Sequence, residues 1–222
     1  MSDSSELGTI LPQPKARRGY AGRSAEQLQQ ERRQRLLDTG LQLFATQGYT
    51  MTPTEQICRL AKVTTRHFYE QFTDKEALLI TIYDQQIQDT FNQVSMALIG
   101  SELPLPERVW QGLEVFLNAQ LDDPRRARLT TIEFLGVSRA TEARRQSVIR
   151  QFTQLIEMYF SVLQQQGHAP RQPYHILAVA MVGTMHELQI AHLNQPDVFS
   201  RTQMTEALRD VLRIYVQGLL TA

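Results

Sequence analysis

The sequence predicts an all-α protein, with an N-terminal three-helix helix-turn-helix domain followed by a C-terminal helical bundle domain. Two patterns predict this fold. Apolar residues recur every three or four positions over long stretches, and no segment alternates apolar and polar residues as a half-buried strand would. Residues 52–71 contain two short amphipathic segments joined by a tight turn. With 222 residues, 42% of them hydrophobic, the chain is long enough to bury a core in one domain or two.

The first predicted helix runs from Ser24 to about Gln47. Ser24 and Gln27 form a capping box, and Gly48 ends the helix. Its buried stripe consists of Leu36, Leu37, Leu41 and Phe44.

Three signals of a helix start coincide at the next element. Thr52 is a capping residue, Pro53 occupies the first helical position, and Glu55 lies three residues after the cap. Thr64 caps a second short helix. The apolar positions that hold this pair of helices together are Ile57, Leu60, Ala61 and Val63.

Longer helices follow. Thr73 or Asp74 opens one whose apolar positions, from Leu79 to Leu98, recur at helical spacing. Prolines at 104 and 106 start another, an Asp-Asp-Pro turn at 122–124 starts the next, and a helix from about Thr141 to Gln165 ends at Gly167. We therefore expect a flexible basic tail over 1–23, the helix-turn-helix domain over 24–75 and a second domain over 76–222.

Two final helices carry apolar seams with 4-3-4-3 spacing. These seams suit packing against other helices at a shallow angle, and they serve either a dimer interface or the core of the monomer itself. Their members are Leu177, Met181, Thr184, Leu188 and Ala191 in one helix and Met204, Leu208, Val211, Tyr215 and Gly218 in the other.

The segment 57–78 resembles the DNA-binding signature of the tetracycline-repressor (TetR) family of bacterial transcription regulators. The resemblance covers about residues 36–79, and its spacing is matched without a gap at Ile57, Val63, Tyr69, Phe72 and Lys75. It implies a DNA-binding homodimer whose last two helices form the interface. It also implies a C-terminal pocket for a small-molecule effector, and release of the protein, as a repressor, from its operator.

Two positions depart from the family pattern. The usual turn glycine is Lys62, and the usual histidine after the tyrosine is Gln71. If Lys62 takes positive φ, its side chain adds strain of about 1 kcal/mol relative to glycine. These departures are the best support for the alternative that the chain is a helical ligand-binding or scaffold protein that kept the fold and lost DNA binding.

The predicted DNA-binding residues lie on and around the second short helix. Arg66 is the candidate for reading bases, because a guanidinium can bond O6 and N7 of guanine together. Thr65 and His67 share its exposed first turn. By resemblance, Tyr69 and Lys75 fall on positions that grip phosphates; Gln71 can donate to a phosphate, and Thr52 and Thr64 lie at helix starts that favour anions.

The tail supplies a second group of basic residues. Lys15, Arg17, Arg18 and Arg23 either contact phosphates or a minor groove, or belong to a solvated tail that keeps the protein soluble. We expect a dimer of this kind to read a palindromic operator with half-sites ~34–36 Å apart, or a multiple of that, and to lose affinity steeply with salt.

Composition limits the function. The net charge is zero, which argues against a protein that coats nucleic acid, but residues 1–75 carry 11 Lys and Arg against 8 Asp and Glu, whereas 76–222 carry 12 against 15. One cysteine, Cys58, excludes an internal disulfide, and the longest strongly apolar run, 176–182, is too short to span a bilayer. We expect a soluble, cytoplasmic protein without a cofactor.

Enzyme classes lack their motifs. The segment starting at His186-Glu187 resembles a helical zinc-protease motif, but Ile190 occupies the place of the second histidine ligand. An enzyme that uses the C-terminal cavity remains a third, weaker option. Candidate residues for the effector pocket form a mainly apolar set, namely Trp110, Phe116, Thr130, Glu133, Phe134, Met158, Met185 and His186.

Overall fold

The computed structural model describes residues 24–220, which form α-helices and one π-helical turn, with no strand among the described residues. The predicted all-α fold is confirmed. The predicted tail, with Arg17, Arg18 and Arg23, lies outside the described residues. In chain order the elements are α1 Ala25–Gln47, α2 Thr54–Ala61, α3 Thr65–Tyr69, α4 Lys75–Ile99, α5 Leu105–Leu121, α6 Pro124–Arg128, the π-helical turn Leu129–Glu133, α7 Arg139–Gln165, α8 His175–Asn194 and α9 Arg201–Leu220.

The helix starts that the sequence predicts from local capping are confirmed, with one exception. Ser24 accepts the Gln27 backbone N–H at 3.1 Å, and the Gln27 side chain accepts the Ser24 backbone N–H at 2.7 Å. Asp74 caps α4 by accepting the Ala77 N–H at 2.7 Å. The exception is α2, which begins at Thr54 after Pro53, without a capping side chain.

Two apolar cores organise the chain, and α4 contributes to both. The N-terminal core joins α1–α3 to the first turns of α4, with fully buried Leu36, Phe44 and Phe68. It crosses the predicted boundary at residue 75, because Leu78 and Tyr83 belong to it. The second core packs the remainder of α4 against α5, α7, α8 and α9. One helix, α4, therefore connects the helix-turn-helix to the C-terminal bundle.

Helices α8 and α9 bury part of the predicted seams inside the monomer. Met181, Met204 and Leu208 are buried in the second core, and Leu177 and Leu188 pack against it. For Met181, Met204 and Leu208 the structure favours the alternative, the core of the monomer, because the periodicity identified a buried stripe but not what it packs against. A dimer through the last two helices stays a prediction.

The opposite face of α8 is open in the monomer. It carries Ile176, which is 83% exposed, together with Val179, Ala180 and Gly183. By length and composition alone this 20-residue helix is apolar enough to cross a membrane, with a mean hydropathy of 1.3 over its most apolar window and 17% of that window buried. The apolar run 176–182 therefore understated how apolar the whole helix is.

Candidate DNA interface and effector cavity

The turn between α2 and α3 depends on Lys62. Its backbone is left-handed, with φ 54° and ψ 45°, and among the described residues it is the only one besides glycines with positive φ. This conformation lets the Val63 N–H reach the Cys58 carbonyl at 3.0 Å and returns Val63 to the core. The departure from the usual glycine therefore strains the turn without disrupting it.

Helix α3 is fixed by its cap and its buried aromatic side chain. Thr64 accepts the His67 N–H at 3.2 Å, as predicted, and Phe68 is fully buried beneath the helix. The His67 ring is engaged within the domain, because Nδ1 lies 2.8 Å from the Thr64 hydroxyl and Nε2 lies 3.5 Å from an Arg32 nitrogen. These contacts place the outward-facing side chains of α3 in a defined orientation.

Arg66 has the geometry expected of a residue that reaches a ligand outside the protein. Its side chain is 88% exposed, and Nε donates to Glu70 at 3.1 Å one turn later. An exposed pair at this spacing stabilises a helix by only about 0.2–0.5 kcal/mol, so a base edge can displace it. Thr65 and Tyr69 are exposed on the same short helix, while Gln71 is half-buried and its carbonyl accepts from Arg33 at 3.5 Å.

Lys75 has a structural role that the sequence did not reveal. Its Nζ donates to the carbonyls of Tyr49 and Thr52 at 2.8 and 2.9 Å and lies 4.2 Å from the centre of the Tyr49 ring. Burial lowers the pKa of this amine. Lys75 therefore ties α4 to the loop before α2, and its contact with phosphate stays a prediction.

The predictions that Thr52 contacts DNA and caps α2 are both wrong. The residue is fully buried, and its hydroxyl donates to the Gly48 carbonyl at 2.8 Å, within the loop that ends α1. A buried hydroxyl that is already paired cannot reach DNA. The sequence placed the cap at Thr52 and the first helical residue at Pro53; in the structure both lie one position later, at Pro53 and Thr54.

A cavity of about 150 Å³ lies in the C-terminal domain between α4, α5, α7, α8 and the π-helical turn. Of the predicted pocket residues, Phe116, Thr130, Met185 and His186 line it. Its remaining walls are mainly apolar and come from residues that include Ile87, Val94, Leu98, Leu113, Val148, Phe152, Leu155, Phe160 and Met181.

The other four predicted pocket residues do not line the cavity. Trp110 packs against the second core, Phe134 stacks on Tyr83 with ring centres 3.7 Å apart, and Met158 is half-exposed. Glu133 instead accepts the Tyr49 backbone N–H at 2.9 Å and pairs with Arg128 at 3.4 Å. Helical spacing alone did not separate these positions from the lining residues.

One side of the cavity is polar. Arg145, His186 and Gln189 lie there, and Glu142 holds the Arg145 guanidinium through bonds of 3.0 and 2.8 Å. Burial lowers the pKa of His186 by more than the neighbouring Glu187 carboxylate raises it. Burial also raises the pKa of Tyr83, which joins the cavity wall to the N-terminal core. Sequence reasoning missed Arg145 and Gln189, because their relation to His186 depends on how α7 packs on α8.

Comparisons with known proteins agree with this architecture. Residues 36–82, which contain the helix-turn-helix, match the family model described as bacterial regulatory proteins, tetR family. Over residues 36–82 the chain has the DNA-binding domain of the tetR family. It is a DNA-binding transcriptional regulator and not an enzyme.

One curated relative extends the comparison over the whole chain, and another matches a part of it. The chain is 25% identical over 230 residues to the HTH-type transcriptional regulator HbdR of Aromatoleum sp. (strain CIB), covering 100% of this chain and 90% of HbdR. An uncharacterized HTH-type transcriptional regulator, YuxN of Bacillus subtilis (strain 168), is 33% identical over 64 residues, which are 29% of this chain and 22% of YuxN.

Solved structures share the fold. The regulator FadR of Bacillus subtilis, in complex with stearoyl-CoA, superposes with a TM-score of 0.73 at 16% identity, covering 84% of this chain and 98% of FadR. A putative TetR-family regulator from Syntrophomonas wolfei gives a TM-score of 0.72 at 18% identity, covering 86% and 97% of the two chains.

Proposed function

We propose that this protein is a homodimeric repressor that leaves a palindromic operator when a small-molecule effector enters the C-terminal cavity. One observation carries the proposal: the cavity wall and the contact that holds the helix-turn-helix loop belong to the same π-helical turn. Thr130 and Thr131 line the cavity, and Glu133, at the end of the turn, accepts the Tyr49 N–H at 2.9 Å.

The connection continues from Tyr49 to α4. The Tyr49 carbonyl accepts from Lys75, the first residue of α4, whose later residues Tyr83 and Ile87 line the cavity. The loop before α2 is thus held by the π-helical turn on one side and by α4 on the other. An effector that moves either element changes the position of α2 and α3, and it shifts the protein between two conformations only if it binds them unequally.

A comparison supports the idea of an effector. FadR, a protein of the same fold, has been solved with a bound small molecule, stearoyl-CoA. A cavity lined mainly by apolar side chains, with a few polar groups, is the usual form of such a site.

The open face of α8 supports the proposed dimer. Ile176, Val179, Ala180 and Gly183 form an exposed apolar stripe, and a Cβ added to Gly183 would meet nothing within 4 Å. A second copy of this chain is the occupant we propose, because small residues let two helices approach closely and a soluble regulator must cover such a face. Ile214 on α9 is a further exposed apolar residue, with 69% of its surface exposed.

The dimer is tested by placing a charge on this stripe. Val179→Asp should convert the protein to a folded monomer in sedimentation velocity, whereas Met96→Asp, at an exposed apolar position on α4, should leave the dimer intact. A Val179→Asp protein that stays dimeric would refute the interface.

DNA recognition is tested by selecting operators from a random-sequence DNA pool with the full-length protein, followed by footprinting. We expect a two-fold-symmetric site. Arg66→Ala should reduce the preference for operator over random DNA, since each well-made guanidinium contact to guanine is worth about 1–3 kcal/mol. The control, Arg150→Ala on the exposed surface of α7, should keep that preference. An unchanged preference in Arg66→Ala would remove its role in base reading.

A further inference from the structure

We propose that the effector is a compact, uncharged, mainly apolar molecule of about the size of one six-membered ring, which presents a carbonyl-type oxygen to Gln189 and His186. This inference rests on the proposed function, in which the cavity is the effector site. It is carried by the two side-chain nitrogens on α8 and by the volume of the cavity.

Gln189 supplies the first nitrogen. The residue is 3% exposed, lines the cavity, and has an amide nitrogen without a hydrogen-bond partner among the residues that the structure describes. An amide nitrogen donates two hydrogens and accepts none, so its missing partner must be an acceptor such as an oxygen. Buried donors are almost always paired in folded proteins, and one that faces a cavity therefore indicates what should bind there.

His186 supplies the second nitrogen, one helical turn earlier on the same face of α8. Its Nε2 is buried and likewise has no partner among the described residues, while Nδ1 lies 3.7 Å from Glu187. Burial lowers the pKa of this imidazole, so the ring is neutral near pH 7. In the tautomer that carries the proton on Nε2, this nitrogen donates to the same ligand oxygen as Gln189.

The charge balance of the polar side favours an uncharged ligand. Arg145 is the cation on this wall, and Glu142 already neutralises it through two bonds. With His186 neutral, a carboxylate would enter a mostly apolar cavity without a free cation on this wall to compensate for its lost hydration. A carbonyl oxygen needs only the donors that Gln189 and His186 offer.

Size limits the apolar part. The cavity holds about 150 Å³, and a protein cavity of this volume lined by Leu, Ile and Phe accommodates benzene. Phe116 and Phe152 meet edge to face in its wall, with ring centres 6.0 Å apart, a geometry that suits a flat aromatic ligand. We therefore expect a ligand of about the size of one six-membered ring.

The test uses a matched pair of probes, acetophenone and α-methylstyrene, which differ in having C=O or C=CH2. Calorimetric titrations are made on the full-length wild type, on Gln189→Leu, and on the control Gln85→Leu, an exposed glutamine of α4. We expect Gln189→Leu to weaken acetophenone about tenfold while binding α-methylstyrene as well as the wild type or better. The control should bind both probes like the wild type.

Several outcomes would overturn the inference. Equal effects of Gln189→Leu on both probes would remove the proposed contact. Benzoate binding more tightly than acetophenone would refute the uncharged ligand. Failure of both ring-sized probes to bind a folded wild type, with binding of a long acyl chain instead, would refute the size.

Operator release separates this inference from the proposed function. The same probes are added to the protein bound to its selected operator. If acetophenone binds with the predicted dependence on Gln189 but leaves operator affinity unchanged, the ligand class stands and the regulatory role of the cavity fails. If a ligand of another class occupies the cavity and releases the operator, the proposed function stands and the ligand class fails.

Discussion

Replacing Lys62 tests whether the helix-turn-helix carries backbone strain at its turn. Lys62 has φ 54° and ψ 45°, a conformation that costs a residue with a Cβ about 1–2 kcal/mol. Glycine avoids that cost but loses about 0.5–1 kcal/mol through its more flexible unfolded chain. Lys62→Gly should therefore raise the free energy of unfolding by about 0.5–1 kcal/mol.

Urea unfolding at fixed protein concentration measures this difference, with an expected rise in the midpoint of about 0.3–0.5 M. Lys62→Ala is the matched control, because it removes the same charge and keeps the Cβ; its midpoint should stay at that of the wild type or below. A stabilised Lys62→Ala, or an unchanged Lys62→Gly, would refute the strain argument. If Lys62 also contacts a phosphate, the slope of the logarithm of the DNA-binding constant against the logarithm of the salt concentration should be shallower by about 0.9 in both variants.

Four further predictions follow from the contacts described above. Lys75→Met should lower stability by about 2 kcal/mol in urea unfolding, because two charge-assisted hydrogen bonds are lost; a stability equal to the wild type would show that they contribute little. Glu133→Ala should keep operator binding but reduce its response to effector in titrations, and an unchanged response would exclude this link. The wild type should lose stability as pH falls below 6.5, because burial lowers the pKa of His186 in the folded state and the unfolded state therefore gains the proton first. His186→Phe should not show this loss, and identical pH profiles of the two proteins would contradict the prediction. The wild type should also lose stability as pH falls from 4.5 toward 2, because Arg145 lowers the pKa of Glu142 in the folded state to about 2. Glu142→Gln should not show this acid-dependent loss, and an unchanged acid profile would contradict the prediction.

Features set by neighbouring residues were predictable from the sequence. The Ser24–Gln27 capping box, the Thr64 and Asp74 caps and the strained turn at Lys62 each involve residues within a few positions of one another. Their physics is local, so the order and approximate bounds of the helices could be derived before the packing was known.

Features set by packing between distant segments were not predictable. Lys75 and Glu133 bind the same Tyr49 backbone from positions 26 and 84 residues away, and no local pattern connects them. The seams of α8 and α9 show the same limit, since Met181 and Met204 have the right spacing but face the monomer core. Helical periodicity identifies an apolar stripe and leaves open which surface covers it.

The most direct test of the account is footprinting of the selected operator by the wild-type protein, before and after a cavity ligand is added. We predict protection of two symmetric half-sites ~34–36 Å apart, or a multiple of that, and loss of both when the ligand binds. Protection that persists while calorimetry shows the cavity occupied would contradict the proposed link between cavity and DNA. A folded dimer that protects no site in any selected DNA would contradict the recognition geometry itself.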